Sequence, residues 1–359
     1  YIKKNNDVLP LQKPQNTKNK ILVTGPNANN QSILGDWHKP QPDENVNTIY
    51  EGIEKIGTEI GYIVDYHDSN QNIKKISNND INKTIEIANQ YDIVFVVVGD
   101  NSMRYKWSEK TAGENTARAE LNLAGKQLDL VKRLKETGKN VIVIYANGRP
   151  ISEPWISENI NAIIEVWEPG SFGGVAAAEI IFGKVNPSGK LPLTIANSVG
   201  QLKMFYNHKH SMYYRNYAMN TNKPLYSFGF GLSYTKFEIS EPKLKSSKFK
   251  KDMLSVSVDL KNIGEIDGDE IVQLYISDKY SSITRPVKEL KAFKRVSLKS
   301  GESKEITFKL DKSAFAFYDS EMKYIVEAGE FNILLGNSSR DKDLKSTSFS
   351  IEETIYLKD

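Results

Sequence analysis

The chain has 359 residues, 39% hydrophobic and 26% charged, and its 48 basic and 45 acidic side chains leave a formal net charge of +3. That length suits two domains and that apolar share supports folded cores; the balanced charge offers no electrostatic footprint for nucleic acid or a membrane surface, so neither is expected as a partner. The absence of cysteine excludes disulfide scaffolds, thiol nucleophiles and Cys-bound zinc.

In chain order, the opening Tyr1-Ile2-Lys3-Lys4 shows neither Met nor a signal peptide, so the true N-terminus is expected elsewhere. No apolar run reaches the length of a membrane span. Ile21-Leu22-Val23-Thr24 reads as a buried strand closed by the turn Gly25-Pro26-Asn27. Residues 47–56 read as a helix, 63–66 as a strand, 81–89 as a helix and 93–98 as a strand of continuous Ile, Val and Phe. An amphipathic helix over 124–137 stops at Gly138; strands follow at 141–145 and 162–167, then a short apolar helix over 175–182. β-Branched strands separated by helices predict a largely parallel sheet covered on both faces, in which ligands sit beyond the strand C-termini. The loops after Val98, Tyr145 and Trp167 are therefore the places to look for chemistry.

From Leu254 onward the pattern alternates with period two, as in Leu254-Ser255-Val256-Ser257-Val258-Asp259-Leu260, 272–276, 306–310 and 331–335. Short alternating strands parted by turn signals predict an all-β sandwich of about seven strands. The division expected is an α/β domain over 1–200, a linker over 201–250 and a β-sandwich over 251–359.

The most informative stretch is Thr111-Ala112-Gly113-Glu114-Asn115-Thr116-Ala117-Arg118-Ala119-Glu120-Leu121, in a long loop after the strand that ends at Gly99-Asp100. Loops of that length in a compact domain are commonly functional. Gly113 permits an unusual backbone angle just before a carboxylate. Arg118 either ties the loop down or holds a substrate hydroxyl, and Trp107 and Tyr105 offer aromatic faces for a sugar. On spacing alone Glu114 reads as one more solvated glutamate among many. Glu109 and Glu120 are the fallback carboxylates.

Other chemistries fail on their patterns. His38, His67, His208 and His210 lack metal-ligand spacing, and residues 183–190 miss the phosphate-loop spacing and the Ser or Thr it requires. No Gly-x-Gly-x-x-Gly follows the first strand and no Gly-x-Ser-x-Gly elbow occurs. No cofactor or metal is expected.

The same loop resembles a known one. Gly113-Glu114-Asn115 with Arg118 resembles the acid/base loop of family 3 glycoside hydrolases. Asn147-Gly148-Arg149-Pro150, Trp167-Glu168-Pro169-Gly170, Gly173-Gly174 and the run from Gly183 through Asn186-Pro187-Ser188-Gly189-Lys190-Leu191-Pro192 are similar to further motifs of that family. So are Tyr206-Asn207-His208, Tyr226-Ser227-Phe228-Gly229-Phe230-Gly231-Leu232-Ser233-Tyr234 and Arg285-Pro286-Val287-Lys288-Glu289-Leu290-Lys291-Ala292-Phe293. They occur in the family's order over nearly the whole chain, in the flavour of its β-glucosidase and β-xylosidase branch.

The resemblance implies a retaining exo-acting β-glycosidase acting on terminal β-linked glucose or xylose of an oligosaccharide. Its nucleophilic aspartate lies on an N-terminal (β/α)8 barrel and its acid/base glutamate, at Glu114 here, on the α/β domain. Retention places the two carboxyls roughly 5 to 5.5 Å apart. The barrel motif is not found, and Asn6-Asp7-Val8-Leu9-Pro10-Leu11 resembles the segment that follows it. The barrel is thus the partner expected in cis or in trans, and the chain alone is expected to be inactive or nearly so. The β-sandwich is implied to be fibronectin type III-like, with Arg285 to Phe293 structural and with Phe317 and Tyr318 in its core. Family habit implies a periplasmic or secreted protein. The alternative is a non-catalytic carbohydrate-binding or scaffolding protein derived from the same domains.

Overall fold

The computed structural model describes residues 3–4, 8–14, 19–210, 217–218, 220–245 and 253–357; Asn6 and Asp7 of the segment expected to follow a barrel lie outside them. Two compact units emerge, one of residues 1–185 with 195–202, the other of residues 186–194 with 203–359.

The first unit is built on a six-stranded sheet. Its strands are β1 (Lys3–Lys4), β2 (Lys20–Thr24), β3 (Ile63–His67), β4 (Ile93–Gly99), β5 (Asn140–Ala146) and β6 (Ala162–Trp167), in the spatial order β1-β6-β5-β4-β2-β3. The five strands from β2 to β6 run parallel and β1 closes one edge antiparallel. The continuous Ile-Val-Phe run of β4 is buried along its whole length, as a central strand covered on both faces requires.

Among the described residues this unit has five α-helices: α1 (Ile49–Ile60), α2 (Asn78–Ala88), α3 (Gln127–Glu136), α4 (Pro154–Asn159) and α5 (Gly173–Ile181). Helix α1 packs on α5 and α2 on α3. Helix α1 begins in a capping box: the Glu51 amide donates to Thr48 Oγ1 at 3.3 Å and the Thr48 amide to Glu51 Oε2 at 2.8 Å. Its buried Ile49, Ile53 and Ile56 form the face turned to the core.

The second unit holds two antiparallel sheets whose alternating side chains share one core. One sheet is ordered β11-β10-β15-β16; the other is β12-β9-β7, with β8 also on β9. These strands are β7 (Phe237–Ile239), β8 (Lys243–Leu244), β9 (Met253–Asn262), β10 (Gly268–Asp278), β11 (Glu289–Leu298) and β12 (Ser303–Asp311), with β15 (Gly329–Gly336) and β16 (Leu344–Ile351). A third small sheet joins β13 (Phe317–Tyr318), β14 (Tyr324–Val326) and β17 (Ile355–Tyr356). Leu254, Val256, Val258 and Leu260 of one sheet meet Val272, Leu274, Ile333 and Leu335 of the other, as the period-two pattern dictates. Within the 201–250 stretch expected as a linker, β7 and β8 are strands paired with β9. Phe317 is buried, whereas Tyr318 is 46% exposed, so only the first of that pair is a core residue.

Several of the motifs meet inside this unit. Asn186 Oδ1 accepts from Ser233 Oγ at 2.8 Å and from the Tyr234 amide at 2.9 Å, while its Nδ2 donates to Asp267 O at 3.0 Å. Lys190 Nζ pairs with Glu270 at 2.7 Å with both side chains buried. Asn186 and Lys190 therefore bind this unit's own segments to one another, a structural use of a run that superficially suggests a phosphate loop.

Candidate active site

In a doubly wound sheet a crevice opens where neighbouring strands send their following elements to opposite faces. Strands β2 and β4 are such neighbours: β2 leads to α1 and β4 to α3. The loop after β2 carries Asp36 and Trp37; the loop after β4 carries Glu114.

The long loop after β4 is tied at its base. The Asp100 carboxylate, almost fully buried, lies 2.8 Å from Arg149 Nε and accepts from Thr111 Oγ1 at 3.0 Å. Burial holds this carboxyl above its ordinary pKa, with Arg149 and Thr111 working in the opposite direction. Arg149 also donates to Leu121 O at 2.9 Å and Asn122 O at 3.0 Å. One guanidinium from the turn after β5 thereby joins the start and the end of the loop.

Glu114 sits at the loop's tip with its side chain 45% exposed. Its backbone is held from both sides. The amide donates to Asp36 Oδ2 at 2.5 Å, and its carbonyl accepts from Lys110 Nζ at 3.0 Å. Lys110 is itself 2% exposed and bonds Asp36 Oδ1 at 2.9 Å. Gly113 has φ +95°, and a Cβ there would stand 2.6 Å from Asp36 Oδ2, so both conformation and space demand glycine at this step. The Glu114 carboxylate accepts from Arg104 Nη2, whose guanidinium lies 3.7 Å from the centre of the Trp37 ring. Such a solvent-facing pair contributes about 0–1 kcal/mol, so it leaves the carboxylate free to exchange partners.

The remaining residues singled out in the sequence fall around this tip. Tyr105 and Trp107 lie on either side of a kink at Lys106 in the 3-10 segment Arg104–Glu109 and are 39% and 52% exposed. Tyr105 stands edge-on to His38 with ring centres 5.3 Å apart, and Lys110 Nζ is 4.8 Å from the Trp107 ring. Arg118 turns to the loop itself, donating to Asn122 O at 3.1 Å. Glu109 faces Lys106 at 4.0 Å, and Glu120 is exposed. Sequence reasoning missed Asp36, Arg104 and Lys110 as neighbours of Glu114. Gly35-Asp36-Trp37 resembles a family loop for which a structural role is expected, and nothing local marks Lys110 as a buried lysine.

Two more carboxylates lie on β6 and just after it. Ser102 Oγ donates to Glu168 Oε1 at 2.8 Å, joining the loops after β4 and β6. The Glu165 side chain is half-buried on β6, and desolvation pushes its pKa up to about 8 although the Trp167 amide donates to it at 3.0 Å.

A doubly wound sheet that presents a carboxylate at its switch point, followed by a fibronectin-like sandwich, is the C-terminal architecture of a class of glycoside-cleaving enzymes. The model of the glycosyl hydrolase family 3 C-terminal domain matches residues 2–234, and that of the fibronectin type III-like domain matches residues 270–339. The chain belongs to glycosyl hydrolase family 3. A β-xylosidase of Formosa agariphila is 36% identical over 98% of this chain and 48% of its own length. A periplasmic β-glucosidase of Salmonella typhimurium is 34% identical over 93% of this chain and 46% of its own. The solved β-glucosidase from Listeria innocua in complex with glucose superposes with a TM-score of 0.86 at 30% identity, covering 98% of this chain and 48% of that one. The chain thus spans about half the length of the curated relatives it matches.

Proposed function

We propose that this chain supplies the general acid/base of a retaining β-glycosidase, with Glu114 as the catalytic carboxylate and a (β/α)8 barrel as the source of the nucleophile. One observation carries the reading: a glutamate at the sheet's switch point has its peptide fixed on both sides while its carboxyl, 45% exposed, is paired with the half-buried Arg104. A group that must protonate a leaving oxygen and later activate water needs that combination of a fixed anchor and a free carboxyl.

The substrate class that fits is a terminal β-linked glucose or xylose, in keeping with the names of the relatives. Tyr105 and Trp107 offer exposed rings on which a sugar face can stack, and Arg118 acts by holding the loop. A periplasmic or secreted location accords with the Salmonella relative. Among the described residues no helix is long and apolar enough to cross a membrane.

In a polypeptide joining this chain to the barrel of a family relative, Glu114→Gln should lower kcat/KM for alkyl glycosides by about 10²- to 10⁴-fold. Dinitrophenyl glycosides, whose leaving group needs no proton, should lose far less in the glycosylation step, and azide should restore part of the turnover. Undiminished hydrolysis of alkyl glycosides would remove Glu114 from the mechanism.

A further inference from the structure

We propose that Asp36 and Lys110 form a clamp that fixes the peptide of Glu114 and so sets where the acid/base carboxyl can reach. The proposal rests on the acid/base reading above and adds two positioning residues to it. Lys110 is 2% exposed. A lysine is almost never that deeply buried unless its ammonium is fully engaged. Here one ammonium donates to Asp36 Oδ1 at 2.9 Å and to Glu114 O at 3.0 Å, and it faces the Trp107 ring at 4.8 Å. The other oxygen of Asp36 takes the Glu114 amide at 2.5 Å. One ion pair therefore satisfies both polar groups of residue 114, one from each partner.

A buried pair of this kind is weak evidence for stability, because desolvating two charges offsets most of their attraction. Its geometry is better explained by what it holds. The tip around Glu114 lacks regular structure, and Asn115 has φ +58°. Without an external hold, a displacement of about 1 Å at the backbone would carry the carboxyl out of reach of a leaving oxygen, and an error of that size can cost about 10²-fold in rate. Asp36 comes from the loop after β2 and Lys110 from the loop after β4, so the clamp also couples the two sides of the crevice. Arg104 Nε lies 3.6 Å from the same Asp36 oxygen that Lys110 holds, which places the partner of the Glu114 carboxylate on the same anchor.

The test begins with amide exchange in the full chain, read residue by residue. Wild type is compared with Asp36→Ala, Lys110→Met, the double variant and the milder Asp36→Asn, which retains an acceptor. The Glu114 amide should exchange at least tenfold faster in the two single variants, with the double variant no worse than the faster single and Asp36→Asn intermediate. Amides of residues 94–98 should keep their protection. If the Glu114 amide is already unprotected in wild type, or keeps its protection in Asp36→Ala, there is no clamp. Should an Ala or Met variant fail to fold, Asp36→Asn decides the matter by the same comparison.

Joined to a barrel, Asp36→Asn and Lys110→Met should lower kcat/KM tenfold or more on alkyl glycosides and largely spare kcat/KM on dinitrophenyl glycosides, whose glycosylation step needs no proton, with azide restoring part of the kcat lost in the water step. An equal loss on both substrate types would show a merely structural role and overturn the positioning claim. Failure here with Glu114→Gln still crippling would leave the acid/base assignment intact. A harmless Glu114→Gln, with amide protection behaving as expected, would instead remove the acid/base reading and leave a clamp without catalytic purpose.

Discussion

Desolvation at Glu165 on β6 favours the protonated carboxyl, pushing its pKa up to about 8 from an ordinary 4.5. Between those two values the folded state binds more protons than the unfolded one, so stability falls as pH rises from about 4.5 to about 8 and is level beyond. At 1.36 kcal/mol per unit the difference is at most roughly 5 kcal/mol. Glu165→Gln keeps the shape without the charge, so urea unfolding of that variant should lose much of the pH dependence. The variant should match wild type near pH 4.5 and exceed it at pH 8; parallel wild-type and variant curves would show that the carboxyl is hydrated. Single residues of this kind were unevenly legible from sequence. Glu114 stands out in the sequence through Gly113 and the long loop, but spacing alone leaves it a solvated glutamate and only the family resemblance gives it the acid/base role. Asp36 and Lys110 were not legible as its neighbours, because 74 positions separate them and each looks like a surface charge until the fold brings them together.

The elements were legible where burial alone decides them, and their ends were not. β4 and β5 follow from unbroken β-branched runs, since a central parallel strand has two faces to cover. Helix α2 starts at Asn78 rather than at 81 because Ser77 and Asp80 form a capping box ahead of the apolar face. Helix α3 starts at Gln127 rather than at 124. The Gln127 amide bridges Gly99, accepting from its N–H and donating to its carbonyl, both at 2.9 Å, so the preceding turn serves the loop after β4. The crossing of α1 and α5 was invisible in the sequence and is sharply testable. A Cβ at Gly52 would lie 2.1 Å from Gly174 O, and one at Gly174 would lie 1.9 Å from Thr48 O. Helix propensity alone would have Gly52→Ala stabilise by about 1 kcal/mol. Backbone contact at that distance reverses the sign, and Gly52→Ala should destabilise by about 1–3 kcal/mol or more. Chemical denaturation reads the sign directly, and a stabilised variant would mean that the two helices separate readily.

At the scale of the molecule, the family's motifs divide into those that line the candidate site and those that hold a unit together. Lys288 of the Arg285-to-Phe293 motif donates to Ser339 O at 2.8 Å and pairs with Asp341, and Arg285 pairs with Glu289 at 2.8 Å; these are ties within the sandwich. On the proposed reading the chain contributes one of the catalytic carboxylates, Glu114, at the mouth of a parallel sheet. A retaining glycosidase needs two, on opposite sides of the anomeric carbon, and the second must form a bond to that carbon rather than pass a proton. The chain by itself should therefore turn over aryl β-glucosides and β-xylosides at rates on the order of 10⁴-fold or more below a whole family relative, since removing a nucleophile alone costs that much or more in comparable covalent enzymes. Mixing the chain with a separately produced barrel from a relative should raise the rate if the crevice between β2 and β4 is the face the barrel meets. That gain should vanish with Glu114→Gln for alkyl glycosides. Assays of the chain, the barrel and the mixture distinguish the cases. Turnover by the chain alone that matches a whole relative would place a nucleophile among its own carboxylates, with Glu168, hydrogen-bonded across the strand ends to Ser102, the first to replace by glutamine.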